Sequence, residues 1–357
     1  MKRLRPLLLA LATVLVATAG LVAMPAAHAC ACGGFVASDG EDIAASAEYA
    51  VLSWDGEQER VLLSMDALAT SSDAALLIPT PTPANAALAD TSVFTELATL
   101  TAPEEIVDYQ WWPDLGFGAG SGDAGAAQTG ASVDVLDTLQ LGDLEVSVLA
   151  ANDADALADW LDDHGYVMRD DLADALMPYV SEGWYYLAIR LTTEADSLSG
   201  ALQPLDLTFA SDQLIYPMRL SAAAVESQFV RTFVFSDHRV QRTDETAGNG
   251  GASVWFAGEI SPTQVTSDAL VSITGDRPYL TVLDQYFSVP AEQIVSDFTF
   301  AQAPSDSSYR QVNHEVRMRE VLGIPAGPAL TFIAMVVVLV VVLTVSGLAR
   351  RRRHRRA

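Results

Sequence analysis

YAVLSWDGEQERVLLSM, residues 49–65, decides the fold class, because it places two strand-like segments on either side of a turn signal. Residues 49–54 and 60–65 are rich in aliphatic, β-branched and aromatic side chains. Asp55-Gly56 between them is among the strongest hairpin signals that a single sequence can carry. The segment therefore predicts an antiparallel hairpin near the start of the folded body.

Further strand-like segments follow along the chain. They are residues 74–78, 144–149, 184–191, 205–209, 214–220, 229–235, 279–283 and 298–300. The alternation in 205–209 is regular, and 214–220 is expected to pair with it across Ser211-Asp212, with Pro217 marking an edge or a bulge. The body is therefore expected to be rich in antiparallel sheet.

Helical periodicity is confined to a few segments. They are residues 92–100, 152–164, 170–180 and 290–295. Leu157, Trp160 and Leu161 share one face of the second segment, with aspartates largely on the other. We expect an α+β fold, a mostly antiparallel sheet with two or three packed helices, plus one C-terminal transmembrane helix. The Gly-rich stretch 116–130 is the only candidate internal boundary.

The N-terminal end has the pattern of an export signal. Lys2–Arg5 is basic, Leu7–Met24 is apolar, and Ala27-His28-Ala29 has the small residues of a cleavage site. Residues 1–29 are therefore predicted to be a signal peptide, with an uncleaved anchor or a lipidated Cys30 as the alternatives.

The C-terminal end predicts a membrane span. Ala329–Leu348 contains no charged residue, and 20 residues at 1.5 Å each cross about 30 Å of hydrocarbon. The arginine-rich tail that follows predicts a cytoplasmic C-terminus by the positive-inside rule. The expected organisation is an extracytoplasmic α+β domain at 30–325, a transmembrane helix at 326–348 and a basic cytoplasmic tail at 349–357, which makes a single-pass protein of the cell membrane.

The charge of the body limits its partners. The chain has 357 residues with 20 Lys and Arg against 46 Asp and Glu. Nine of the basic residues lie within the first five and the last eight positions, so the stretch between carries 11 basic residues against all 46 acids, a formal charge of −35. Such a body repels polyanions, so we expect no nucleic acid partner.

The two cysteines, Cys30 and Cys32, lie at the predicted mature N-terminus. One hypothesis is a redox-active thiol pair, because a Cys-x-Cys disulfide is strained and easily reduced. A second is metal binding, although two thiolates fall short of the usual four zinc ligands. A third is a strained or intermolecular disulfide that only tethers this segment. The tether is the favoured interpretation, followed by the redox pair and then by metal binding.

Catalytic signals are sparse. The body has three histidines, and no Gly-x-Ser-x-Gly, His-Glu-x-x-His or Walker pattern is present. Asp237-His238, at a strand end, is a weak candidate for a polar site, since a carboxylate beside an imidazole supports general-base chemistry. The sequence identifies no catalytic residue, metal ligand or cofactor, and an enzyme is the less favoured interpretation.

Several segments together resemble a bacterial family catalogued as domain of unknown function 2330. They are 30–35 (CACGGF), 78–83 (IPTPTP), Phe94 with Leu97, 101–103, 156–161, Gly165-Tyr166, 183–190 (GWYYLAIR) and 214–220 (LIYPMRL). The resemblance implies an exported, often membrane-anchored protein, and it supplies no catalytic residues.

Three functional hypotheses follow from the sequence. The first is a non-catalytic interaction or binding module, anchored at the cell surface by one helix. The second is a thiol-disulfide or redox-sensing protein that acts through Cys30 and Cys32. The third is an envelope hydrolase.

Overall fold

The computed structural model describes residues 34–354 except 39, 42, 114–137, 140–144, 151–153, 250, 276 and 322. The chain divides into two compact units. The first takes residues up to Leu97 and Val135–Tyr309, and the second takes Ala98–Asp134 and Arg310–Ala357. The predicted signal peptide, Cys30, Cys32 and the whole Gly-rich stretch 116–130 lie outside the described residues.

The strands are β1 Gly34–Val36, β2 Ile43–Trp54, β3 Gln58–Ala69, β4 Asp73–Thr80, β5 Ala84–Leu88, β6 Glu104–Gln110, β7 Thr138–Leu139, β8 Glu145–Ala150, β9 Tyr185–Thr192, β10 Gly200–Leu202, β11 Leu205–Ala210, β12 Ile215–Tyr216, β13 Gln228–Ser236, β14 Val240–Arg242, β15 Ser253–Glu259, β16 Tyr279–Phe287, β17 Phe298–Gln302, β18 Tyr309–Arg310, β19 Val312–Met318, β20 Glu320–Val321 and β21 Ile324–Pro325. The α-helices are α1 Ser92–Leu100, α2 Ala154–Asp163, α3 Asp170–Glu182, α4 Asp268–Thr274, α5 Pro290–Gln293 and α6 Ala326–His354. Short 3-10 turns cover Arg219–Ala223, Glu245–Gly248 and Pro262–Gln264.

The predicted hairpin is confirmed as β2 and β3. Its turn is held by Asp55, whose Oδ1 accepts hydrogen bonds from the backbone N–H of Glu57 at 3.0 Å and of Gln58 at 2.7 Å. Gly56 has φ +100°, a conformation that a side chain at this position would strain. The hairpin lies inside a large sheet with the order β15-β16-β13-β2-β3-β10-β7, in which β11 also pairs with β3, and β5 pairs with β11.

A second sheet packs against the large one. Its order is β1-β4-β9-β8, and all of its pairs are antiparallel. Apolar side chains of β4 and β9, among them Leu76, Ile78 and Ile189, share one core with Val61 and Leu63 of β3. The first unit is therefore built on two sheets packed face to face, which is the sandwich arrangement expected when each sheet has an apolar face.

Helices cover the outer face of the four-stranded sheet. Leu157 and Leu161 of α2 and Leu172 and Leu176 of α3 pack on a second core with Tyr186 of β9. Alternate residues of a strand point to opposite faces, so β4 and β9 contribute to both cores. The predicted α+β class, with mostly antiparallel sheet and packed helices, is confirmed.

One predicted pairing is wrong. Residues 214–220 do not pair with β11, because β11 lies between β3 and β5. Only β12 is extended there, and it pairs with β17. Pro217 has no N–H to donate to a ladder, and the chain after it turns into the 3-10 segment at Arg219–Ala223 instead of continuing as a strand.

The second unit contains a two-stranded ribbon and a long helix. The strands β6 and β19 pair in parallel, from Glu104 opposite Val312 to Gln110 opposite Met318. After the short pair β20-β21, α6 begins at Ala326. Ala326–Leu348 is long and apolar enough to cross a membrane, and its most apolar part is not buried within the protein. The predicted C-terminal apolar helix is thus present.

Candidate functional site

Five polar side chains meet at one end of the four-stranded sheet. Asp73 begins β4, Glu145 begins β8, and Arg190 lies near the end of β9 between those two strands. His164 and Tyr166 follow α2 directly. We call these five residues the His164 cluster. Antiparallel pairing places Arg190 opposite both Glu145 and Ala75, so the ladder itself brings the arginine beside the two acids.

Arg190 is the central cation of the cluster. Its Nε lies 3.2 Å from each carboxylate oxygen of Asp73, and a second guanidinium nitrogen also contacts that carboxylate closely. A third nitrogen lies 3.7 Å from Oε2 of Glu145. The Tyr166 hydroxyl donates a short hydrogen bond to Asp73. Arginine suits this position because its planar fork binds a carboxylate through two donors.

His164 connects helix α2 to the sheet. Its Nδ1 lies 2.7 Å from the carbonyl oxygen of Trp160, and its Nε2 lies 2.9 Å from Oε1 of Glu145. The ring stacks on the indole of Trp160 with 4.3 Å between centroids. Both ring nitrogens therefore face acceptors, and the doubly protonated imidazolium satisfies both of them.

A glycine turn creates this geometry. Gly165 has φ +77°, which ends α2 and reverses the chain. The N–H of Tyr166 then donates to the carbonyl of Leu161 at 2.9 Å, and the N–H of Val167 donates to the carbonyl of Ala37 at 3.2 Å. His164 and Tyr166 therefore lie with parallel rings beside the sheet end, 6.1 Å apart.

The pKa values follow from these contacts. The hydrogen bond to the Trp160 carbonyl, followed by the contact with Glu145, raises the pKa of His164. The His164 contact lowers the pKa of Glu145. Burial opposes the charged form of Asp73, but the hydrogen bonds from Arg190 and Tyr166 outweigh it and lower the pKa of that carboxyl. The contacts of the cluster thus favour the carboxylate form of each acid and the protonated form of the histidine.

The arrangement of the His164 cluster is suited to holding secondary-structure elements together and not to proton transfer. An imidazolium that donates both N–H groups has no lone pair to accept a proton, so His164 in this state is not a general base. Asp73 accepts hydrogen bonds from both Arg190 and Tyr166. The cluster instead ties α2, β4, β8 and β9 together by charge-assisted hydrogen bonds.

His238 and His314, the two other histidines between the predicted signal peptide and the membrane helix, are more exposed than His164. The side chain of His164 is 16% exposed, whereas those of His238 and His314 are 52% and 59% exposed. His314 Nδ1 contacts Asp108 at 2.8 Å within the ribbon of the second unit. Of the three, His164 alone is packed into a network that contains a second charged pair, Arg190 with Asp73.

The predicted Asp237-His238 site has a different partner from the expected one. Nδ1 of His238 lies 2.9 Å from Oδ2 of Asp306, and Oδ1 of the same carboxylate accepts from the N–H of Arg239 at 2.9 Å. Asp306 is 68 residues away, so no local pattern identified it. A functional role for Asp237 and His238 stays a prediction.

Cys30 and Cys32 lie outside the described residues, so their redox and metal hypotheses stay predictions. Within the described part of the chain, no group of three or more His, Cys, Asp or Glu side chains is arranged to hold a metal ion.

The His164 cluster was not predicted, although two signals pointed to it. Arg190 is a single charge inside the apolar run YYLAIRL, and such a residue needs a partner when the strand is buried. His164 directly precedes the helix-ending Gly165. Neither signal identifies the partners Asp73 and Glu145, because these residues lie on strands that are distant in the sequence.

Comparison with known proteins identifies a family for this chain. No curated protein matches the chain. The crystal structure of baculovirus P35 is similar with a TM-score of 0.33 and 11% identity, over 73% of this chain and 98% of that one, and a likeness at this level carries no argument about fold or function. The family model described as an uncharacterized protein conserved in bacteria (DUF2330) matches residues 26–301. The chain therefore belongs to this bacterial family, as the resemblance of its motifs predicted.

Proposed function

We propose that the protein is a non-catalytic binding module, displayed on the outer face of a bacterial cell membrane and anchored there by α6. The observation that carries the proposal is the apolar helix at Ala326–Leu348, which is unburied within the protein and follows a large acidic body. A helix that is apolar on all sides finds a favourable environment in lipid and not in water.

The proposed orientation rests on the charges at the two ends of the chain. The six arginines after Leu348 favour a cytoplasmic tail, since they follow the span directly. The signal-like N-terminus supports export of the body. The acidic body then faces the exterior, where its charge disfavours polyanions and favours neutral or cationic ligands.

The non-catalytic part of the proposal is supported by the His164 cluster. It is the most enzyme-like group of side chains among the described residues, yet its carboxylates, guanidinium and imidazole are engaged with one another. Side chains held in mutual ion pairs stabilise a surface more readily than they transfer protons.

Membrane fractionation tests the anchor. We expect the protein to stay in the pellet after alkaline carbonate extraction. The double variant Val338→Asp/Val340→Asp should move it to the soluble fraction, because each central acid costs about 2.5–3.5 kcal/mol in a membrane helix. The matched variant Val338→Leu/Val340→Leu should stay in the pellet. Release of the wild-type protein by carbonate would refute the anchor.

Protease protection in spheroplasts tests the orientation. External trypsin should cleave the body and leave an epitope after Ala357 protected until the membrane is opened. An accessible epitope in sealed spheroplasts contradicts the proposed topology. Hydrolytic turnover by the purified protein that is abolished by His164→Ala or His238→Ala would contradict the non-catalytic assignment.

A further inference from the structure

The membrane-proximal end of the second unit joins the ribbon to the helix through backbone hydrogen bonds. The N–H of Arg319 donates to the carbonyl of Gln110 at 2.8 Å, which holds the ends of β19 and β6 side by side. The N–H of Ala326 donates to the carbonyl of Arg319 at 2.6 Å, and the N–H of Gly327 donates to the carbonyl of Trp111 at 2.7 Å. The ribbon therefore caps α6.

These hydrogen bonds satisfy backbone N–H groups that would otherwise be unpaired at the start of a membrane helix. The first N–H groups of a helix have no partner within it, and leaving them unpaired next to hydrocarbon costs several kcal/mol each. Of the first three residues of α6, two donate to the carbonyls of Trp111 and Arg319, which directly follow β6 and β19, and the third, Pro328, has no N–H to satisfy. The helix can thus begin at the edge of the apolar layer without an unpaired donor at these positions.

Aromatic rings surround the capped end. Tyr109, Trp111 and Trp112 are 54%, 46% and 54% exposed. The guanidinium carbon of Arg319 lies 5.1 Å from the centre of the Tyr109 ring and 5.2 Å from that of Trp111. Tryptophan and tyrosine are enriched at the boundary between lipid headgroups and acyl chains, because each ring has an apolar body and a polar atom.

Gly327 fixes the level of these rings along the helix. A Cβ at this position would lie 2.5 Å from the carbonyl oxygen of Trp111 and 2.6 Å from the indole of Trp112, so only glycine allows this close packing. The 20-residue stretch Ala329–Leu348, which the sequence predicts to cross the hydrocarbon, begins two residues further along α6, which corresponds to about 3 Å of helix. If that stretch fills the hydrocarbon layer, the rings lie in the headgroup zone next to it.

We propose that Tyr109, Trp111, Trp112, Arg319 and Gly327 form a membrane collar whose partner is the interfacial zone of the bilayer. The rings insert between headgroups, and Arg319 is placed to meet lipid phosphate. The collar rests on the proposed function, since it requires α6 to span the membrane. It is independent of which side the body occupies.

Depth-dependent fluorescence quenching tests the collar in the full-length protein. The protein is reconstituted in phosphatidylcholine vesicles, and insertion is established first by flotation after carbonate treatment. Two of the six tryptophans belong to the collar. A nitroxide on the lipid headgroup should therefore remove up to about a third of the emission, more than a nitroxide deep in the acyl chain does.

Matched variants assign the quenching. Trp111→Phe/Trp112→Phe should abolish the headgroup quenching, whereas Trp255→Phe, in the first unit, should keep it. Gly327→Ala should weaken it because the added methyl group displaces Trp112. Gly347→Ala, on the same helix with nothing within 4 Å of its added methyl group, should not.

The outcomes separate the collar from the anchor. Protein that fails to float refutes the membrane anchor. Protein that floats but whose tryptophans respond to aqueous acrylamide and not to lipid nitroxides refutes the collar alone. Rings shielded from both quenchers would lie against protein, for example a second copy, and would also overturn the collar. Retention of the headgroup quenching after Trp111→Phe/Trp112→Phe would overturn it as well.

Discussion

Asp297 is a buried acid of the first unit whose loss should clearly destabilise it. Its Oδ1 accepts hydrogen bonds from the Tyr179 hydroxyl at 2.5 Å and from the backbone N–H groups of Met218 at 2.7 Å and Arg219 at 3.0 Å. Its Oδ2 accepts from Nε of Arg219 at 2.8 Å. The carboxylate is 6% exposed, so water does not replace these bonds readily.

The expected magnitude follows from the donors that are left behind. Asp297→Ala leaves a buried hydroxyl, two N–H groups and one guanidinium without this acceptor, and removing one partner of a buried pair costs about 3–5 kcal/mol. Asp297→Asn keeps one oxygen for the Oδ1 contacts, and Arg219 keeps its paired contacts with Glu182 at 2.6 and 2.7 Å. The asparagine variant should therefore lose only about 1–2 kcal/mol.

Urea unfolding of the full-length protein in a mild detergent measures these losses. Trp184 is the local reporter, because its ring lies 5.0 Å from that of Tyr179. Asp306→Ala is the control, since that carboxylate is exposed and its loss should not move the transition measurably. If Asp297→Ala costs less than about 1 kcal/mol, the level of exposed ion pairs, the site is solvated and the argument from burial is wrong.

Two further predictions concern the four-stranded sheet. Because the pKa of folded His164 is raised above its ordinary value near 6.5, the stabilisation by its charge is complete below about pH 6.5 and is lost as the pH rises through the raised pKa. The stacked indole of Trp160 should report this as an emission change centred above pH 6.5 that His164→Gln abolishes, and a midpoint at or below pH 6.5 would contradict it. In β1, Gly34→Ala places a Cβ 2.5 Å from a methyl carbon of Leu172 and should lower stability by about 1–3 kcal/mol in urea titrations. Gly248→Ala, which meets nothing within 4 Å, should be close to neutral, and equal effects of the two would refute the packing argument.

The sequence predicted the elements better than their arrangement. The hairpin of β2 and β3 was predicted because its turn signal and both strands are adjacent in the chain. The long apolar helix was predicted because its composition is sufficient. The parallel pairing of β13 with β2 was not, since nothing local specifies which distant strand comes alongside.

Two kinds of residue escaped prediction for physical reasons. The strand β6 carries acidic residues on both faces, at Glu104, Glu105 and Asp108, so it lacks the apolar alternation that marks a half-buried strand. The His164 cluster draws its members from three strands and a helix end. Its geometry depends on the register of β4, β8 and β9, which the sequence leaves open.

If the chain is exported as proposed, the parallel ribbon also constrains the order in which its parts fold. Its paired strands are separated by 208 residues, as the hydrogen bond between Asn313 and Glu105 illustrates. A loop of that length closes slowly, because the chain loses conformational entropy on closure before any contact between the two strands can offset that loss. A chain translocated from its N-terminus would complete the first unit before β19 emerges. The cap on α6 would thus form last, at the moment when the helix leaves the translocation channel for lipid.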